Sequence, residues 1–139
     1  MIRPLTSWDY RVTKLLFQQV FDESEDPYFG AAWSQRTTAL GYMSHGVLLG
    51  AAVLTKHRLE YIFIHEDYRD RGIGTQLLQA ALLIQPNVHL MAVTDPGVRA
   101  WYVKHGFHPT SEDTYTRHTH QLRPLSKRHH PLSNMVVTS

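Results

Sequence analysis

Apolar and polar positions change period several times along the chain, and each change marks an element. Residues 2–5 form a short apolar run that suits an edge strand. Trp8, Val12, Leu15, Leu16 and Val20 then recur at helical intervals, which predicts an amphipathic helix over 7–21 with that stripe on the core. Thr6-Ser7-Trp8-Asp9 resembles a capping box at its start, and an acidic run (Asp22, Glu23, Glu25, Asp26) followed by Pro27 ends it. A second, shorter helix is predicted over 28–38, with Tyr28, Phe29 and Trp33 reading as core aromatics. From Ala39 the texture turns to strands, over 39–44, 47–55 and 59–64. His45-Gly46 and Lys56-His57-Arg58 stand where an antiparallel meander would turn. Ile73, Leu77, Ala81 and Ile84 restore helical spacing until Pro86 closes the helix near Gln85. Residues 87–94 make another apolar strand, so strand, helix and strand form a βαβ unit whose two strands should lie side by side and parallel. Pro96 opens a short helix, Gly106 stops it, and 107–122 alternate as a final hairpin.

Composition narrows the class. A chain of 139 residues has room for one core. Residues 1–122 carry the periodic elements, while 123–139 read as a basic, flexible tail. No apolar run approaches the ~20 residues of a membrane span. Met1-Ile2-Arg3-Pro4 begins no signal peptide, and a cytoplasmic location is expected. With no cysteine, disulfides, thiolate metal sites and cysteine nucleophiles are excluded. His118 and His120 would share one strand face, but spacing fixes no third ligand, so no metal is expected. The tail's charges lack stacking aromatics, so a nucleic-acid interface is not expected either.

The chemistry-bearing stretch is where the third meander strand runs into the longest later helix. Gly72 and Gly74 flank Ile73 there, lacking Cβ atoms that would hinder a tight bend or a close ligand. The helix start exposes unpaired N–H groups and a partial positive charge, and Arg69 and Arg71 add full charges, so the loop suits phosphate. A dinucleotide fingerprint would need a third glycine where Leu77 stands, and Gly-Lys-Ser/Thr of a P-loop is absent.

Arg69-Asp70-Arg71-Gly72-Ile73-Gly74 resembles the R/Q-x-x-G-x-G/A pyrophosphate loop of the GNAT acyl-CoA-dependent N-acetyltransferases. Upstream, Ile64-His65-Glu66-Asp67-Tyr68-Arg69 resembles the family's V-x-P-x-Y-R segment. Downstream, Asp95-Pro96-Gly97-Val98-Arg99-Ala100-Trp101-Tyr102-Val103-Lys104-His105-Gly106-Phe107 resembles its N-x-x-A-x-x-L/F-Y-x-K-x-G-F segment. The order of elements over 2–122 is similar to the whole fold. The resemblance implies a single α/β (mixed α+β) domain, with a mixed central sheet of six or seven strands flanked by about four helices. Three positions depart from the pattern: Glu66 for Pro, Asp95 for Asn and Val98 for Ala.

What the resemblance implies chemically is acetyl transfer from acetyl-CoA to a primary amine by direct attack in a ternary complex, without a metal. Cofactor contacts would fall on Ile62, Phe63, Ile64, Arg69, Arg71, Gly72, Ile73, Gly74, Thr75 and Asp95. The main-chain N–H groups of 62–64 would face the pantetheine and thioester carbonyl. Alkylamines titrate near ~10.4 and thiols near ~8.5, so a base for the amine and an acid for the leaving sulfur are both useful at neutral pH. Glu60 matches the place of the family's catalytic glutamate, with His65 a lesser base, and Tyr102 matches the tyrosine near the cofactor sulfur. The acceptor class is open: a protein lysine, an N-terminus or a small-molecule amine, acted on by a monomer or homodimer. The four clustered acids of 22–26 would favour a basic acceptor if they face it. An alternative is a GNAT-shaped protein-binding or inhibitory module with weak or lost transferase activity, suggested by Asp95 and the basic tail.

Overall fold

These period changes become seven strands and four helices in the computed structural model, which describes residues 1–21, 27–90, 95–110 and 115–117. In chain order they are β1 (Ile2–Pro4), α1 (Tyr10–Phe21), α2 (Pro27–Ser34), β2 (Thr38–Ser44), β3 (Val47–Leu54), β4 (Leu59–Ile64), α3 (Ile73–Ile84), β5 (Val88–Leu90), α4 (Pro96–Lys104), β6 (His108–Pro109) and β7 (Tyr115–Arg117). The acidic run of 22–26, the second half of the strand expected over 87–94, His118, His120 and the basic tail lie outside the described residues.

Strands β1 to β4 form one antiparallel sheet in sequence order. The β2–β3 hairpin closes through His45 (φ 51°) and Gly46 (φ 77°), the two positive φ angles that suit the twist of a two-residue hairpin. Side chains alternate across the sheet. Ala51, Val53, Tyr61 and Phe63 pack with α1 and α2, while Ala52, Leu54, Ile62 and Ile64 pack with α3. Gly50 is required by close approach: a Cβ there would lie 2.8 Å from Ile64 Cδ1 and 3.1 Å from Leu77 Cδ1. Its absence lets α3 rest directly on β3 and β4.

Helix α1 is rotated from the sequence expectation. Residues 7–9 form a 3₁₀ turn capped by Thr6 and Asp9, and the helix proper starts at Tyr10. Its buried face is Thr13, Leu16 and Phe17, whereas Trp8 (96% exposed), Val12 and Leu15 face outward. Aromatic packing decides the phase. Phe17 stacks on Phe29 with centroids 4.5 Å apart and meets Tyr61 and Phe63 edge-on. Thr13 tolerates burial because its hydroxyl donates to Asp9 O at 2.7 Å. Helix α2 ends at Ser34, earlier than expected, because the chain is extended again from Thr38; Phe29 and Trp33 are buried as expected, whereas Tyr28 is exposed.

Within the described residues, the expected parallel pairing of 59–64 with 87–94 is a single bridge. Strand β5 spends one edge on β7, antiparallel (Val88–Arg117, His89–Thr116, Leu90–Tyr115), and β6 joins the far side of β7. Its other edge meets the first sheet at one parallel bridge, Arg58–His89, with the His89 N–H donating to His57 O at 2.8 Å. Past that bridge no described residue pairs with the outer edge of β4. Among the described residues the mixed sheet is therefore split into four and three strands that meet at the start of β4.

Candidate active site

The far end of β4 leads into the glycine loop. After Ile64 the chain makes a 3₁₀ turn (Glu66–Tyr68), with His65 Nδ1 accepting from the Asp67 N–H at 3.1 Å and its ring edge-on to Tyr68. It then passes through two left-handed residues, Asp70 (φ 62°) and Gly72 (φ 80°), before α3 begins. Gly72 is the N-cap, and no side chain caps the helix; the first main-chain bond is Gln76 N–H to Gly72 O at 3.0 Å. The N–H groups of Ile73, Gly74 and Thr75 are therefore available to an anion. A Cβ on Gly72 would have nothing within 4 Å. That φ is adopted most readily by glycine, and the position leaves open space above the helix end. Gly74 is different: it is buried within the first helical turn and has no positive φ, so it does no bending. The Arg71 guanidinium lies 5.1 Å over the Tyr68 ring, which holds a cation beside the loop.

The free edge of β4 runs from this loop towards the bridge. His65 N–H donates to Leu49 O at 2.7 Å, which makes 49 and 65 a hydrogen-bonded pair. Antiparallel alternation then assigns the main-chain groups of Tyr61 and Phe63 to β3 and turns those of Ile62 and Ile64 towards the split. Of the three residues expected to offer N–H groups there, two do so. Phe63 instead contributes its side chain to the opposite core.

Two buried polar atoms have no hydrogen-bond partner among the described residues: Arg69 Nε and Tyr102 Oη. Tyr102 is fully buried on α4 between Trp101 and Phe107, and burial pushes its phenol well above the usual tyrosine range. Leaving either atom unpaired is costly, so both point to a partner that the described residues do not supply. Both lie in the stretches that the sequence singled out.

Asp95 and Glu60 are held by local structure. Asp95 Oδ1 accepts from the N–H groups of Gly97 (2.8 Å) and Val98 (3.1 Å) and caps α4, which Pro96 then opens. An aspartate fills that role as well as an asparagine. Glu60 sits four residues, about 13 Å along the strand, before Ile64 and two residues past the Arg58–His89 bridge. It takes a 3.3 Å hydrogen bond from Thr55 Oγ1 and lies 3.9 Å from Arg58 Nη1. Thr55 is fixed in turn by Gln85, whose Nε2 donates to Thr55 O (2.7 Å) and Lys56 O (3.1 Å). Glu60 thus stands near the bridged start of β4 and the glycine loop beyond its far end.

The sequence profile of the acetyltransferase (GNAT) domain matches residues 31–109, more than half of the chain. The protein belongs to the GNAT family. No curated protein matches it by sequence. Among solved structures, a Brucella melitensis GNAT acetyltransferase in complex with acetyl-CoA superposes with a TM-score of 0.72 at 14% identity, covering 96% of each chain. Naa50 of Arabidopsis thaliana, in complex with the bisubstrate analogue CoA-Ac-MVNAL, gives 0.65 at 19% identity over 84% of this chain and 95% of its own. A GCN5-related N-acetyltransferase from Rhodopseudomonas palustris gives 0.67 at 18% over 84% and 94%. At such identities these similarities speak for the fold, and the split sheet with a glycine loop at its mouth is this chain's version of it.

Sequence reasoning missed three residues of this site. Asp70 adopts a left-handed φ that no motif position demands. Thr55 and Gln85 lie outside every quoted motif, and their role emerges only when α3 packs against the β3–β4 turn. Gln85, the last residue before Pro86, was visible only as a helix end.

Proposed function

We propose that this GNAT protein transfers an acetyl group from acetyl-CoA to a primary amine, by direct attack within a ternary complex. The observation that carries the reading is the arginine-flanked N-terminus of α3, which no side chain caps, opening beside the edge of β4 that no described residue pairs beyond the Arg58–His89 bridge. The two orphaned buried atoms, Arg69 Nε and Tyr102 Oη, and the open space above Gly72 fit such a donor. When bound, acetyl-CoA supplies an activated acyl thioester. Arg69, Arg71 and the N–H groups of 73–75 bind the pyrophosphate, combining full charges with the helix-end partial charge. The N–H groups of Ile62 and Ile64 orient the pantetheine arm and thioester carbonyl, and a preorganised donor of this kind contributes ~3 kcal/mol to an oxygen that gains charge. Glu60, directly or through a water, accepts the amine proton. Tyr102, which burial keeps protonated, gives its phenol proton to the departing sulfur. Asp95 caps α4 and thereby sets the height of Tyr102 in the core.

The acceptor is a protein lysine, a protein N-terminus or a small-molecule amine. A panel holding one of each, incubated with acetyl-CoA and read by mass spectrometry, tests the reaction. Acetylation of at least one class is expected. Intact acetyl-CoA binding with no transfer to any class would favour the protein-binding alternative instead.

A further inference from the structure

A cavity of about 680 Å³ lies at the far end of α3 from the glycine loop, between the end of β1, the start of β2 and Ile84. Ile73 and Ile84 are separated by about 17 Å of helix, so the two regions are distinct. The volume falls within the ~300–1,000 Å³ typical of small-molecule sites. Its apolar lining comes from both faces of the sheet: Leu40 is buried on the α3 side and Leu5 on the α1 side, and Ile84 is left 54% exposed at its wall.

The described lining carries one cation, Arg36. Its guanidinium is stacked 4.5 Å from the Trp33 ring and held there by donating from Nη1 to Trp33 O (2.8 Å) and from Nη2 to Ser7 Oγ (3.1 Å). A guanidinium has five N–H donors, and no others of Arg36 find a partner among the described residues. Among the described residues, no carboxylate lines the cavity and Arg36 forms no ion pair. The neighbouring Thr38 hydroxyl is likewise without a described partner. A fixed, uncompensated fork of donors beside an apolar wall matches a singly charged oxyanion attached to hydrocarbon, since the planar fork pairs with carboxylate geometry.

We propose that this cavity binds an amphipathic monoanion, its carboxylate-type head on Arg36 and its short apolar body against Leu5, Leu40 and Ile84. Octanoate is the probe, with octanol and inorganic phosphate supplying the apolar body and the anion separately. In a titration of the ¹⁵N-labelled full chain, octanoate is expected to shift the amides of Ser7, Arg36 and Leu40 saturably. It should bind at least tenfold more tightly than either octanol or phosphate. Arg36→Gln should weaken octanoate at least tenfold. Because Arg36 also braces Trp33, a second variant leaves that brace in place: Ser7→Asp sets a carboxylate beside Nη2 at an exposed first-turn position that favours acids. It should keep the melting temperature and still lose octanoate at least tenfold. Octanol or phosphate binding as tightly as octanoate, undiminished octanoate binding by Ser7→Asp, or shifts confined to the glycine loop would each overturn the proposal.

Discussion

Tyr102→Phe should make the protein more stable and less active at once. The hydroxyl is fully buried and has no partner among the described residues, so the folded chain alone bears its desolvation. An unsatisfied buried polar group costs about 1–3 kcal/mol, and phenylalanine removes it while keeping the ring's contacts with Trp101 and Phe107. For a domain of this size each kcal/mol moves the midpoint by ~4 °C, so a rise of ~4–12 °C is expected in the melt of the cofactor-free protein. If the same hydroxyl delivers the proton to the leaving sulfur, kcat should fall by ~10²-fold or more, while acetyl-CoA affinity changes little. Release of free thiol from acetyl-CoA can be followed with a chromogenic thiol reagent. The chain contains no cysteine, so the protein itself gives no background. A lower or unchanged melting temperature would mean that the hydroxyl is satisfied after all. Unchanged turnover would remove it from the chemistry.

Other outcomes follow from the same site and its surroundings. Glu60→Gln should lower kcat by ~10²-fold with acetyl-CoA affinity kept; equal loss in both would mean that Glu60 serves only the contacts with Thr55 and Arg58. Changing Asp22, Glu23, Glu25 and Asp26 to their amides should raise the KM of a cationic acceptor at low salt, an effect that fades as the Debye length falls to ~8 Å near physiological ionic strength; a KM that stays put at low salt would remove the run from acceptor selection. Asp9 is held at about 2, chiefly by its side-chain hydrogen bonds with Arg3 and also by the Thr6 N–H. A depressed carboxyl contributes stability that is fully present above its ordinary value near 3.8 and is lost as pH falls through about 2. The stability gap between the native chain and Asp9→Ala, measured by urea melts, should therefore close between pH 4 and 2, and a constant gap would contradict the pairing.

Much of this was legible because local rules and the global fold agree. The hairpin at His45-Gly46, the closure of α3 before Pro86, the Pro96 start of α4 and the positive φ of Gly72 each follow from one residue's backbone preference. Legibility failed where two solutions were locally equal. Helix α1 offers apolar residues on more than one face, and only the aromatic cluster of Phe17, Phe29, Tyr61 and Phe63 selects the buried one, from partners 12 to 46 residues away in sequence. Ile84 continues the α3 stripe on paper yet lies past the edge of the sheet, half exposed. A βαβ pattern predicts adjacency of two strands but not how far they stay together, so the split between β4 and β5 was invisible. The site's residue types were readable from motifs. Which of 62–64 turn N–H groups outward depended on the register with β3, which a sequence does not state.

The central claim, that the glycine loop at the mouth of the split sheet holds acetyl-CoA, is tested most directly by calorimetry on the full chain and on Gly72→Asn. Asparagine tolerates the left-handed φ of 80° better than other residues with a side chain, so the fold should persist, while its side chain enters the open space above α3. The account predicts one-to-one acetyl-CoA binding by the native chain and at least tenfold weaker binding by the variant at a similar melting temperature. No binding heat from the native chain across a range of temperatures, or equal affinity in the two proteins, would contradict it.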